Sequence, residues 1–244
     1  MRLYELQWLL AQPVMPAING RIRHDLRQLL RESQGRRLRL LDVGGRRSPY
    51  TIGLPVDVTV LDIPRQGETR ERLNLGLTDQ TLALIRRQRS NITEVVIEDM
   101  TRCSLPSESF DAITSVEVIE HVPEDERFVE QAARVLRPGG WFYVTTPNGD
   151  YCRNVEPFYN PDHVRHYTRQ QLSDLLGAHF DDVSVLYGIR TGKHRGAGLG
   201  DLSVRRPGRF LRAAYHNVRS RIESRGLERQ EHHTAHLFAV ARKQ

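Results

Sequence analysis

Apolar positions first recur at helical spacing. Ile18, Ile22, Leu26, Leu29 and Leu30 fall on one helix face, residues 1–35 read as helical, and Gly35 follows as a stop. From residue 38 the period shortens. Leu38–Val43 is a strand-like run ending in Gly44-Gly45, and Val56–Asp62 alternates β-branched residues. Runs at 93–97, 110–116, 141–146, 183–187 and 235–241 predict five more strands. Helical stretches at 79–89, 123–136 and 168–177 separate them, the second expected to stop at Pro138-Gly139-Gly140. Strands separated by helices predict an α/β fold with a mostly parallel sheet covered on both faces. No period of about 20–50 residues repeats, which excludes solenoids and propellers.

One more amphipathic stretch lies at 205–225. Phe210, Ala214, Val218 and Ile222 are spaced by four, with Leu211 and Tyr215 beside them. They share an arc of about 140°. Arg209, Arg212, His216 and Arg219 lie opposite, Pro207 stands near the start, and Gly226 follows the end. The packing expectation is that the apolar face docks on the domain with the arginines in solvent. The alternative is a basic helix that lies on an anionic membrane.

Composition adds bounds. The 244 residues are 39% apolar and 27% charged, with mean hydropathy −0.52, a globular balance. No apolar run approaches the ~18 residues of a spanning helix. Met1–Glu5 lacks the apolar core and cleavage site of a signal peptide, so the expected location is the cytoplasm. Cys103 and Cys152 match no zinc spacing and read as free thiols. Residues 190–244 carry 13 basic against 4 acidic side chains, and the rest carries 23 against 26. The basic excess is therefore local, and a pI of 9.7 does not by itself imply nucleic acid.

In parallel sheets ligands bind at the carboxyl ends of strands. The first strand ends Asp42-Val43-Gly44-Gly45. An acid before the glycine would repel a pyrophosphate and suits a cationic amino group instead, which disfavours a nicotinamide oxidoreductase. The second ends at Asp62-Ile63, about 20 residues on, where a carboxylate can accept from ribose hydroxyls. After the third stand Asp99 and Met100, suited to an exocyclic amine and the face of a flat ring. Each alone also reads as a turn or cap residue; their succession is harder to dismiss.

This ordered set resembles the class I S-adenosylmethionine-dependent methyltransferases. The string is Leu-Leu-Asp-Val-Gly-Gly, Val-Leu-Asp-Ile, Ile-Glu-Asp-Met, Ser-Phe-Asp-Ala-Ile-Thr-Ser-Val-Glu-Val-Ile-Glu-His-Val, Arg-Val-Leu-Arg-Pro-Gly-Gly and Val-Thr-Thr-Pro-Asn. It covers about residues 38–187 and resumes at the last strand. The resemblance implies a Rossmann-like seven-stranded sheet, helices on both faces, with the last strand antiparallel. It implies S-adenosyl-L-methionine as cofactor. Its methionine end would lie at Asp42, Gly44 and Gly45, its ribose at Asp62 and Ile63, and its adenine at Asp99 and Met100. Ser115 and Glu117, after the fourth strand, would line the methyl end. Arg46 and Ser48 stand where the family usually has glycine, which keeps open a non-catalytic binding subunit of the same fold. The expected organisation is one domain: a helical cap at 1–35, a cofactor-binding core at 36–187, a basic helical insertion at 188–232 and the last strand at 233–244.

Methyl transfer to a hydroxyl needs alignment and a base. His121 and His163 are the candidate bases, with His166 beside the latter. Helix-start packing and a rim loop are their structural alternatives. No residue is assigned to a metal in the leading reading. Glu117, Glu120 and His121, with a distant His163 or His166, could ligate Mg²⁺ or Mn²⁺. That pattern resembles metal-dependent RNA 2′-O-methyltransferases, though the same pentapeptide also occurs in metal-free relatives. The aromatic stretch 148–167 suits a lid over an acceptor or a packed Ω-loop. The expected acceptor is a small molecule, sugar or lipid-linked compound, with nucleic acid disfavoured.

Overall fold

The computed structural model of the chain describes residues 1–45, 48–64, 76–194 and 206–244. A helix α1 (Leu3–Ala11) and a 3₁₀ turn (Gln12–Val14) precede α2 (Ala17–Glu32). The predicted helical stretch is thus broken around Pro13 and Pro16, which lack the amide a continuous helix requires. Strands follow as β1 (Leu38–Val43), β2 (Val56–Asp62), β3 (Ile92–Ile97), β4 (Phe110–Val116), β5 (Leu136–Pro147), β6 (Asp182–Arg190) and β7 (Thr234–Arg242). Helices α3 (Asp79–Gln88), α4 (Asp125–Val135), α5 (Arg169–Gly177) and α6 (Pro207–Glu223) intervene.

The seven strands form one sheet in the order β3-β2-β1-β4-β5-β7-β6. β1 to β5 pair in parallel, and β7 runs antiparallel between β5 and β6. This is the α/β, mostly parallel seven-stranded architecture expected, with helices on both faces. Period-two alternation divides the core. Leu41, Val43, Ile113, Phe142 and Val144 meet Phe128, Val129 and Ala132 of α4 and Leu172 and Leu176 of α5. Leu38, Leu40, Val58, Val60 and Tyr143 meet Ile22, Leu26, Leu29 and Leu30 of α2 on the other face.

Three further expectations differ from the structure. Pro138-Gly139-Gly140 lies inside β5, not beyond a helix stop: α4 ends at Val135, and the β4 register shifts from Leu136 to Trp141 to absorb the extra residues. Ser115 lies within β4 and not after it. The third concerns α6. Its buried residues are Ala213, Asn217 and Ser220, while Leu211, Tyr215, Val218 and Ile222 are exposed. Phe210 and Ala214 of the expected apolar face are half-buried, but its other four residues do not dock. The Gln12–Met15 turn leaves backbone carbonyls under the helix: Asn217 donates to Val14 O, and Arg221 to Gln12 O and Met15 O. Buried carbonyls need donors, so the polar face turns inward. Arg46, and residues 195–205 of the basic insertion, lie outside the described residues.

Candidate active site

The strand ends build the site. Asp42, in β1, is 1% exposed. Its Oδ1 accepts from Thr114 Oγ1 at 2.9 Å and Ser48 Oγ at 3.2 Å, while Oδ2 meets no hydrogen-bond partner among the described residues. Burial pushes the Asp42 carboxyl up to about 6, against the pull of Arg89 and the two hydroxyls. Ser48 therefore supports Asp42 where the family has glycine. Gly44 has φ +70°, and a Cβ there would come within 2.5 Å of Val118; one on Gly45 would meet the Asp42 carboxylate at 2.4 Å. Both glycines are required by close internal packing.

Gly44, Asp62, Ile63, Asp99 and Met100 line one cavity of about 150 Å³, shared with Val118, His121 and Phe128. Asp62 ends β2, and its Oδ1 accepts from the Ile63 amide at 2.9 Å. Asp99 Oδ1 accepts from the Thr101 amide and hydroxyl, which fixes the loop after β3, and Met100 is buried beside it. The structure thus brings six of the sequence-selected residues together, His121 among them. Asp42, Gly45 and Ser115 lie outside this lining, and Ser115 is fully buried.

A second cavity, about 350 Å³, opens on the β5 side. Its lining includes Glu117, Phe158, Tyr159, His163, His166 and His236. Glu117 follows β4 in the left-handed backbone region, φ +54°, unusual for a side-chain-bearing residue. Its amide donates to Thr145 O, and Thr145 Oγ1 donates to its Oε1 at 2.9 Å. Oε2 lies 3.4 Å from His236 Nε2. Burial opposes ionisation, but the charge and hydrogen bond of His236, with the Thr145 bond, hold the Glu117 carboxyl below the usual range.

The loop 117–121 divides the two cavities. Glu120 is 1% exposed; Thr146 Oγ1 donates to Oε2 at 3.1 Å, and Oε1 is unpartnered among the described residues. Burial, with the Glu117 charge nearby, pushes its carboxyl well above the usual range. His121 and His163 face each other edge-on, ring centres 4.6 Å apart, one lining each cavity. His121 Nδ1 lies 2.8 Å from Asp162 O, a pure acceptor, so it carries the proton and leaves Nε2 a lone pair. The same logic runs through the other pair. His166 Nδ1 bonds Cys152 O, so His166 Nε2 accepts from His163 Nδ1 at 2.7 Å, and His163 Nε2 is left unprotonated. Burial, with the neighbouring histidines, pushes the His163 imidazole down to about 4. Ligand atoms of Glu120, His121 and His163 all lie within 4.8 Å of one another.

Sequence reasoning missed His236 and Asn148. His236 reads as an ordinary strand residue; only the antiparallel register, which sets it opposite Pro147, carries it to the strand ends. Asn148, fully buried, donates to Glu231 O, Thr234 O and Thr234 Oγ1, tying the end of β5 to the start of β7. Its position after Thr-Thr-Pro was the available signal.

Residues 57–144 match the family described as "Methyltransferase domain". A Mycolicibacterium smegmatis protein named "Probable S-adenosylmethionine-dependent methyltransferase" is 30% identical over 145 residues, 59% of this chain and 54% of that protein. A ubiquinone biosynthesis O-methyltransferase of Paracidovorax citrulli is 28% identical over 51% of this chain and 48% of its own. The chain spans about half the length of the curated relatives it matches. Among solved structures, a SAM-dependent methyltransferase from Archaeoglobus fulgidus superposes with TM-score 0.59 at 16% identity, over 92% of this chain and 94% of that one. That likeness is one of fold.

Proposed function

We propose that this chain is a class I S-adenosylmethionine-dependent methyltransferase, supported by the methyltransferase-domain match over residues 57–144 and the likeness to a probable S-adenosylmethionine-dependent methyltransferase, and that it methylates a hydroxyl of a small-molecule, sugar or lipid-linked acceptor. The observation that carries the reading is the pair of cavities meeting at loop 117–121. One presents the carboxylates of Asp62 and Asp99 beside Met100; the other presents three histidines and two aromatic rings. The fit to the cofactor is supported by the Asp62 and Asp99 carboxylates lining the first cavity, and by Asp42 at the end of β1, whose buried Oδ2 has no hydrogen-bond partner among the described residues and suits a cationic amino group. When bound, S-adenosylmethionine supplies an electrophilic methyl group on a sulfonium.

The chain's own residues then have defined tasks. Asp62 accepts from ribose hydroxyls, and Met100 and Ile63 pack against the nucleoside. His163 takes the acceptor's hydroxyl proton at Nε2, because its Nδ1–H is committed to His166. Glu117 balances the imidazolium that results, being one of the charges that raise the His163 affinity for protons. Tyr159 and Phe158 shield the acceptor from water. O-direction is supported by the likeness to an O-methyltransferase, and the lipid-linked branch by the outward apolar stripe of α6. The test is transfer of labelled methyl groups to phenolic, sugar and polyprenyl-linked hydroxyl compounds. Incorporation into one class, alkali-stable as an ether, supports the reading; incorporation only into amines or carboxylates contradicts it.

A second reading is favoured by the Glu120, His121 and His163 cluster. Both histidines have Nδ1 fixed by hydrogen bonds and Nε2 lone pairs to offer, and Glu120 keeps a buried oxygen without a partner. Orienting hydrogen bonds of this kind support metal ligation. These residues would hold Mg²⁺ or Mn²⁺, and methyl transfer would then depend on it. This reading expects EDTA to abolish activity and either ion to restore it. Activity indifferent to chelation would leave His163 as a proton acceptor only.

A further inference from the structure

Helix α6 carries an apolar stripe with nothing upon it among the described residues. Leu211, Tyr215, Val218 and Ile222 are 67%, 58%, 38% and 47% exposed. At 100° per residue they share an arc of about 60°. The opposite face is buried and bonded to the Gln12–Met15 turn. Arg212 and Arg219 lie along one flank of the stripe, with Arg209 beyond, all exposed. From Arg206 to Arg229 there are seven arginines and two glutamates. Helix α1, which runs into the same turn, also presents leucines outward: Leu3, Leu6 and Leu10 are 71%, 40% and 73% exposed.

The stripe lies at the functional end of the molecule. β6 runs parallel to β5 across β7, so Arg190 ends it at the carboxyl edge of the sheet. There the Arg190 amide donates to Ser224 Oγ, just past α6. The cavity of Glu117, His163 and His236 opens at that same edge.

We propose that this face docks on an anionic lipid bilayer. The stripe enters the boundary between headgroups and acyl chains, and Arg212 and Arg219, on its flank, meet the lipid phosphates. An outward apolar stripe with flanking arginines is the build of an interfacial helix. Charge favours a lipid surface over a second copy of the chain as occupant: antiparallel two-fold pairing on this stripe would set the Arg212 and Arg219 flanks side by side. Each arginine near an anionic surface raises partitioning about fivefold. The proposal does not rest on methyl transfer; it gives the acceptor cavity a lipid-facing position.

The test is sedimentation of the full chain with phosphatidylcholine vesicles, with and without phosphatidylglycerol. Binding to the anionic vesicles alone is expected, and ~1 M salt should weaken it through screening. The pair Leu211→Gln and Ile222→Gln should weaken binding about tenfold or more, and so should the pair Arg212→Glu and Arg219→Glu. All four positions are exposed, so S-adenosylhomocysteine affinity should stay unchanged and melting temperature should fall by no more than the loss of the exposed Arg219–Glu223 ion pair. A folded chain that remains in the supernatant at low salt overturns the proposal. So does binding that both pairs leave intact, or light scattering that shows a dimer dissolved by Leu211→Gln and Ile222→Gln.

Discussion

Asp42 is the residue whose chemistry is most exposed to test. Its folded pKa, about 6, lies above the ordinary value of 3.8. A raised carboxyl binds its proton more tightly in the folded state, so stability falls as pH rises between those values. The penalty is absent below about 4 and complete above about 6, and roughly two units correspond to about 3 kcal/mol. Asp42→Asn should therefore gain stability relative to the parent by about that much between pH 4 and pH 8, whatever its constant packing cost. Denaturant titration at the two pH values measures this; a pH-independent difference would contradict a buried Asp42 carboxyl with a raised pKa. At the same scale, His163→Asn should lower turnover by about 10²–10⁴-fold with cofactor affinity intact, the range for a lost general base. A loss confined to acceptor KM would make His163 a wall of the pocket. Asp42, Asp62 and Asp99 were legible because strand-end acids stand out in an apolar texture. The histidine relay was not, because the proton positions follow from Asp162 O and Cys152 O, backbone atoms that no residue type announces.

Among elements, β7 and α6 hold the lessons. Asn148 joins β5 to the start of β7 through three acceptors. Asn148→Ala would remove the amide that ties these groups, leaving Glu231 O with Thr234 Oγ1 and Thr234 O with only the weak Cys152 thiol donor, and should cost about 1 kcal/mol in urea titration. It should also raise acceptor KM, since His236 is placed by the first turn of that strand. A variant as stable as the parent would mean the tie is redundant. For α6, the apolar period was plain in the sequence, and the direction of the stripe was not. Amphipathicity gives two faces; which one packs depends on what the neighbouring element needs. Here the Gln12–Met15 turn presents carbonyls, and Asn217 and Arg221 answer them. Likewise Pro138-Gly139-Gly140 reads locally as a stop, but β4 accepts it as an irregularity within a strand.

Across the whole molecule, the change from helical to strand period announced the α/β class, and each strand fell within a few residues of its expected place. The antiparallel seventh strand came from family resemblance and not from periodicity, since a β-branched run carries no direction. Half of the site was readable for the same reason: the first cavity is made by residues immediately at strand ends, whereas the second is assembled from loop 147–167 and the start of β7, far apart in sequence. No helix among the described residues is long and apolar enough to cross a membrane. The central claim is that the first cavity binds S-adenosylmethionine through Asp62, and isothermal calorimetry with S-adenosylhomocysteine tests it most directly. Saturable binding is expected, weakened by Asp62→Ala by about 1.5–3 kcal/mol, or roughly tenfold to a hundredfold. A folded chain that takes up no ligand at millimolar concentration would contradict the claim, and equal affinity in the variant would remove Asp62 from the site.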